Sequence, residues 1–303
     1  MSLVSVGVPL YNAERYLAAA FDSLLAQDYA DLELVVCDNA STDATWEICL
    51  GYAARDSRIR LHRNDVNRGA AYNYNRVVRE AAGALFKWAA YDDLCAPSLV
   101  RECVAELDAA ADAVLAYPQT MLIDSAGEVT GRFEDRLDLR QPRSAARVQA
   151  LARRFNLCNA VFGVVRRDVL LRTGLIRPYQ SSDVTLLAEL AAYGRFHEVA
   201  SPLFFRRIHP ASTRQAGPRR SGEVAAWFDP RRRSAPLAPR LALALRTAGA
   251  LWAAELPLPD RLGSAAGFVT RYGIRRGRAV AGRARRTLIP TGRRAATTAG
   301  SPR

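Results

Sequence analysis

The sequence predicts an α/β fold: a largely parallel sheet with helices on both faces, followed by a helical, basic C-terminal segment. Three observations predict it. Short apolar runs alternate with stretches of helical periodicity up to about residue 118. Polar clusters follow those runs directly, at Tyr11-Asn12, residues 38–43, residues 64–69 and Tyr91-Asp92-Asp93. The charge is also uneven: residues 219–303 hold 18 arginines and 4 acidic residues, whereas residues 1–218 hold 25 basic and 26 acidic ones.

Residues 4–9 are apolar and short enough for a buried strand, which ends in a loop at residues 10–12. Residues 13–27 set Leu17, Ala20, Phe21, Leu24 and Leu25 on one helical face. Residues 32–37 form a second strand. The polar loop 38–43 offers Ser41, Thr42 and Asp43 as N-caps for a helix to about residue 55. A third strand spans 59–62, and a third helix spans 70–82, where Gly83 stops it. Residues 85–90 are a fourth strand. Pro97 suits the first turn of the next helix, which runs to about residue 110, and residues 113–117 are a fifth strand. Ligands of such folds bind beyond the carboxyl ends of the strands, so the four polar clusters should converge on one edge of the sheet.

The second half is less regular. Strands at 119–123 and 128–130 flank a turn at 124–127; helices at 144–155 and 184–193 and strands at 160–166, 196–199 and 203–207 follow. Residues 210–239, rich in Pro, Arg, Ser and Gly, read as a linker. Residues 241–255 read as an Ala/Leu-rich helix, and 275–303 as a basic, disordered end. The domain plan is one unit over 1–215, with halves meeting near residue 118, then linker, helix and tail over 216–303.

Composition removes several function classes. Five cysteines, an odd number without Cys-x-x-Cys spacing, argue against a disulfide framework or a zinc knuckle. No apolar stretch of about 18 residues is free of charge, so a spanning helix is not expected. Residues 1–5 lack the basic-then-apolar pattern of a secretory leader, and a cytoplasmic location is expected.

Two adjacent carboxylates, Asp92 and Asp93, follow the fourth strand. Like charges raise each other's pKa and favour a proton or a cation beside them. Manganese and magnesium prefer oxygen ligands and are commonly held by one or two carboxylates plus substrate phosphates. A nucleoside diphosphate would complete such a site. An isolated Asp-Asp pair also serves as a solvated turn before a helix; its place among three other strand-end clusters favours the site. Asp38 stands where a carboxylate can accept the N3–H of a uracil or thymine ring, with Asp43 sharing or taking the capping role. Gly69 permits close backbone approach or positive φ, and Arg68 can pair with phosphate.

These elements together resemble the family 2 glycosyltransferases. The resemblance rests on Val4-Ser5-Val6-Gly7-Val8-Pro9-Leu10-Tyr11-Asn12, Asp38-Asn39-Ala40-Ser41-Thr42-Asp43, Asn67-Arg68-Gly69-Ala70 and Phe86-Lys87-Trp88-Ala89-Ala90-Tyr91-Asp92-Asp93, and covers about residues 3–215. It implies a GT-A type, Rossmann-like fold and an inverting transfer from a nucleoside-diphosphate sugar, UDP or dTDP favoured, with Mn2+ or Mg2+ as cofactor. The acceptor would be a carbohydrate or a lipid-linked sugar. Pro9, Tyr11, Asn12 and Asp38 would contact the nucleotide, with Asn67, Arg68 and Gly69 beside it. Asp92 would face the ribose or sugar, and Asp93 the metal. Asn39 departs from the family, which often has two acids here. Ser181-Ser182-Asp183 resembles the family's acid-plus-Asp segment, with Ser182 replacing the acid, and makes Asp183 the base that deprotonates the acceptor. The alternative for Asp183 is the cap of a helix. His209-Pro210-Ala211-Ser212 resembles the family's His-x-x-Ser element, so His209 would touch the metal or diphosphate.

The basic end has two readings. One is a peripheral anchor at an anionic membrane surface, at the inner face of the plasma membrane; the other is a solvated tail. No specific nucleic-acid partner follows from either. Rival functions are a nucleotidyltransferase using the same metal–diphosphate site, and a non-catalytic polyanion-binding protein acting through the tail. A nicotinamide-dependent dehydrogenase is disfavoured because Leu10-Tyr11-Asn12-Ala13 stands where Gly-x-Gly-x-x-Gly would follow the first strand.

Overall fold

The computed structural model describes residues 2–210, 221–231 and 238–287. Strand β1 (Val4–Leu10) is buried along its whole length, as a central parallel strand covered on both faces must be. Helix α1 (Glu14–Leu25) buries Leu17, Ala20, Phe21 and Leu24, the expected i, i+3, i+4 face. Strand β2 (Leu32–Asp38) runs parallel to β1 with Leu10 opposite Asp38, so the two polar loops begin side by side. Helix α2 (Thr45–Ala53), edge strand β3 (Ile59–Arg63) and helix α3 (Ala70–Glu80) follow, and β4 (Leu85–Trp88) pairs with the other side of β1.

Past a two-residue strand β5 (Leu94–Cys95) come helix α4 (Leu99–Ala109), the long strand β6 (Ala113–Ile123) and its hairpin partner β7 (Val129–Phe133). Helix α5 (Ser144–Arg154), a 3-10 turn (Asn159–Phe162), strand β8 (Val164–Arg166), helix α6 (Arg167–Leu171), helix α7 (Ser182–Tyr193) and strand β9 (Arg195–Arg207) complete the body. The strands form one sheet in the order β3-β2-β1-β4-β8-β6-β9-β5, with β7 on β6. Strands β1 to β4, β6 and β9 share one direction; β5, β7 and β8 oppose it. The sheet is thus mixed, with its parallel part where the alternating pattern was strongest.

Two apolar layers cover it. One, under α1 and α4, holds Leu17, Phe21, Leu99 and Cys103; the other holds Val77, Leu151, Leu187, Leu251 and Phe268. All five cysteines are buried free thiols. Helices α8 (Ser221–Phe228), α9 (Pro239–Ala253) and α10 (Leu258–Thr287) end the described chain. Leu251 and Phe268 are fully buried in the second layer, so α9 and α10 belong to the core.

Several expectations change. The disordered end expected from residue 275 is corrected over 275–287, which continue α10; residues 288–303 lie outside the described residues, as do 211–220 and 232–237 of the expected linker. Within that linker, 221–228 form α8. Gly83 does not stop α3, which ends at Glu80; its N–H donates to Ser5 Oγ at 2.8 Å, and a Cβ there would sit 2.5 Å from the Leu3 carbonyl oxygen. Pro97 precedes α4 instead of occupying its first turn. Residues 196–199 and 203–207 join as β9, because a register irregularity opposite Pro118 and Gln119 absorbs the break without ending the pairing.

Candidate functional site

The polar clusters do converge. A cavity of about 470 Å³ opens at the carboxyl ends of β1, β2 and β4. Pro9, Tyr11, Asn67, Asp92 and Asp93 line it, as do Leu10, Asn39, Asn73, Tyr74, Arg206 and Arg207. Helix α8 adds Glu223 and Trp227.

The first two loops are stapled to each other. Asn12, at φ 49°, accepts the Thr42 N–H at 2.9 Å through its side chain, and its own N–H donates to Ser41 Oγ at 2.9 Å. Asp43 does the capping: its carboxylate accepts the N–H groups of Thr45 and Glu14 at 3.0 and 3.2 Å. These bonds hold Asp43 below the usual carboxylate range against a desolvation that acts the other way.

Asp38 does not reach the cavity. Its carboxylate is fully buried, bonded by the Ser41 N–H and hydroxyl and paired with Arg63 at 3.0 Å. The neighbouring side chain, Asn39, faces the cavity instead. Asn39 Oδ1 accepts from Asn64 Nδ2 at 2.8 Å and from the Arg68 N–H at 3.0 Å, while its Nδ2 donates to Asn67 Oδ1 at 2.9 Å. An amide both donates and accepts, so Asn39 closes a network that a second carboxylate, beside buried Asp38, would break by repulsion. Arg68 contributes its backbone here, and its guanidinium stacks on Tyr72 at 4.9 Å. Gly69 takes φ +85°, and a Cβ there would lie 2.5 Å from the Phe228 carbonyl oxygen. The glycine is what lets α8 close over this loop.

Asp92 and Asp93 lie at the centre. Asp93 is 8% exposed, and burial, followed by the charge of Asp92, pushes its pKa up to about 7. Its Oδ1 accepts the Arg207 N–H at 2.8 Å. The Arg207 side chain, also buried, donates to the carbonyls of Asp92, Asp124 and Ser125 and so pins the β6–β7 turn beside the pair. His209 is buried, and its Nε2 lies 3.0 Å from Asp92 Oδ2. Among the described residues no three His, Cys, Asp or Glu side chains converge as a metal cluster. The carboxylates of Asp92 and Asp93, the first within reach of His209, are oxygen donors of the kind a hard cation takes alongside phosphate oxygens.

Asp183 lies in the first turn of α7, where Oδ1 accepts the Val184 N–H at 2.9 Å. It is not one of the cavity's lining side chains. Burial raises its pKa, and the charge of Arg206 opposes that rise. Arg206 acts on Asp93 in the same sense, so both carboxylates feel the charge of this arginine. Leu157 O and Asn159 Oδ1 accept from Arg206, and the Asn159 N–H donates to buried Asp135 at 3.1 Å. Sequence reasoning passed over both arginines because nothing distinguishes Arg206-Arg207 from the many surface arginines. Only their place, just ahead of His209 at the end of an apolar run, could have marked them. Removing the charge of Arg206 takes away the influence that lowers Asp183. Arg206→Met is therefore expected to move the acid limb of the turnover–pH profile upward. An unmoved limb would separate the two groups.

The family model for Glycosyl transferase family 2 matches residues 5–170. The putative glycosyltransferase EpsE of Bacillus subtilis is 41% identical over 106 residues, covering 35% of this chain and 38% of the relative. The Escherichia coli enzyme WfgD, named as a UDP-Glc:alpha-D-GlcNAc-diphosphoundecaprenol beta-1,3-glucosyltransferase, is 40% identical over 92 residues, covering 30% of this chain and 36% of the relative. The aligned part is thus little more than a third of the length of these relatives. Among solved structures, S. aureus TarS 1-349 superposes with a TM-score of 0.65 at 15% identity, covering 95% of this chain and 76% of TarS. The Pyrobaculum calidifontis mannosyltransferase PcManGT, solved with GDP-Man and Mn2+, superposes with a TM-score of 0.54 at 21% identity, covering 92% of this chain and 86% of that one. At such identities the superpositions establish a shared GT-A type fold. With more than half of its length matched, and the family's strand-end motifs gathered at one cavity, the chain belongs to glycosyltransferase family 2.

Proposed function

We propose that the protein moves a sugar, a hexosyl or deoxyhexosyl unit, from a nucleoside-diphosphate sugar to an acceptor hydroxyl with inversion at the anomeric carbon. The observation that carries this reading is the Asp92–Asp93 pair, Asp92 half-buried and Asp93 buried, facing the same cavity as the β1 and β2 loops.

Asp183 takes the acceptor proton as the hydroxyl oxygen attacks the anomeric carbon. The bond from that carbon to the diphosphate breaks, and its electron pair leaves on the diphosphate oxygen. Burial keeps Asp183 basic enough for the task, since a carboxylate with a raised pKa is a better base. Arg206, lining the cavity, is placed to meet the charge that develops on the departing diphosphate. Asn39, Asn67 and Asn73 present fixed amides at the nucleotide end. A manganese or magnesium ion on Asp93 would supply further stabilisation of that leaving group when bound.

A UDP- or dTDP-sugar is the favoured donor. UDP agrees with the UDP-glucose in the name of WfgD and with the TarS structure solved with UDP-GlcNAc. A lipid-linked glycan is the favoured acceptor, since WfgD is named for a diphosphoundecaprenol-linked one. Product analysis tests the reaction. Incubation with donor and acceptor should release free nucleoside diphosphate in step with glycoside formation. Release of pyrophosphate instead would make the protein a nucleotidyltransferase.

A further inference from the structure

We propose that the outer face of α9 and α10 docks on an anionic membrane surface. Each helix has two apolar faces. The inner one, with Leu243, Thr247 and Leu251 on α9 and Ser264, Phe268 and Tyr272 on α10, is buried. Helix α10 packs on α5 through Ser264 near Ser144 and Gly267 against Gln149, and α9 packs on α7 through Thr247 Oγ1, 2.8 Å from Thr185 Oγ1.

The face turned away from those helices is also apolar. Leu241, Leu245 and Trp252 follow one another along α9 at helical spacing; Leu258, Leu262 and Val269 do so along α10. All six are between 40% and 59% exposed. A helix whose outer side met only water would carry polar residues there. A contiguous set of large exposed apolar side chains marks a surface with a partner.

Charge selects the partner. Residues 239–287 hold ten arginines and two acidic residues. A second copy of the chain along these helices would bring two segments of like net charge together, whereas anionic headgroups would neutralise that charge while the acyl boundary took up the leucines. The guanidinium of Arg261 lies 4.8 Å from the Trp252 ring centroid, a pairing suited to the headgroup–acyl boundary. No described helix is long and apolar enough to cross a bilayer, so the contact lies along the surface. The face is also one helix from the reaction: Thr185, which meets α9, is two residues after Asp183 on α7. A lipid-linked acceptor would arrive at the base from this side, and only that last point rests on the transferase reading.

Vesicle sedimentation tests the docking. The full chain should sediment with phosphatidylcholine vesicles containing roughly a third phosphatidylglycerol and stay in solution with pure phosphatidylcholine. The double variants Leu241→Glu/Leu245→Glu and Leu262→Glu/Val269→Glu should each lose at least about tenfold in vesicle affinity while keeping their melting temperature. Trp252 fluorescence should shift to shorter wavelength on vesicle addition, a shift that Trp252→Phe removes. Three results would overturn the proposal: no sedimentation of the parent chain, unchanged binding by both double variants, or a parent dimer that the same variants dissociate. Intact vesicle binding in a protein that transfers no sugar would overturn the transferase reading and leave this one standing.

Discussion

Asp183→Asn is expected to keep donor binding within about threefold and to cut transfer by about 10²–10⁴-fold. The amide oxygen of Asn can still accept the Val184 N–H that Asp183 Oδ1 accepts now, so the first turn of α7 keeps its geometry. What Asn lacks is the capacity to take a proton from the acceptor. Calorimetric titration with donor, beside steady-state transfer on the same preparation, separates the two effects. If Asp183 merely ends a helix, transfer holds within a few-fold and the melting temperature falls instead. In the parent chain the same carboxyl predicts a pH profile. Its pKa lies above the ordinary carboxylate value, so turnover should fall on the acid side at a higher pH than an exposed aspartate would dictate.

Asp93→Asn is expected to abolish metal-dependent donor binding and, in metal-free protein, to stabilise the fold. The sign follows from where the proton sits. Burial and Asp92 lift Asp93 to about 7, so between the ordinary carboxylate value and 7 the folded chain holds a proton that the unfolded chain has released. Stability attached to this group therefore falls as pH rises through that window. By pH 8 the native state bears the whole cost of a buried charge, on the order of a few kcal/mol. Asn carries no such charge. With chelator present, the melting temperature of Asp93→Asn should exceed that of the parent at pH 8 by several degrees, with little difference at pH 4. An equal difference at both pH values would remove ionisation of Asp93 as the cause.

Much of this was legible in the sequence because it is local. Strands β1 to β4 are short apolar runs, their polar followers fall at strand ends, and parallel pairing brings those ends together. That route brings Asp92-Asp93, Tyr11 and Asn67 to one cavity, where they lie. What was not legible depends on contacts distant along the chain. Asp38 and Asn39 are adjacent, and alternation along an extended chain sends one inward and the other to the cavity; which one is decided by Arg63 and Ser41 gripping Asp38. Arg206 and Arg207 became visible only when β9 had paired with β6 and carried them to the carboxylates. His209 stood out by order in the chain, but its bond to Asp92 joins residues 117 positions apart and was not legible there. Residues 275–287 looked too basic for ordered structure, but the helix they extend is anchored upstream by Phe268 and Tyr272.

The central claim is that Asp93 anchors a metal-dependent nucleoside-diphosphate site. Calorimetric titration of UDP, dTDP and GDP into the chain, with and without manganese and in Asp93→Ala, tests it most directly. The account predicts that one diphosphate, UDP or dTDP favoured, binds at micromolar affinity with manganese, about tenfold or more weaker without it, and not measurably in Asp93→Ala. Binding that ignores both manganese and the substitution, or no binding by a well-folded sample, would contradict it.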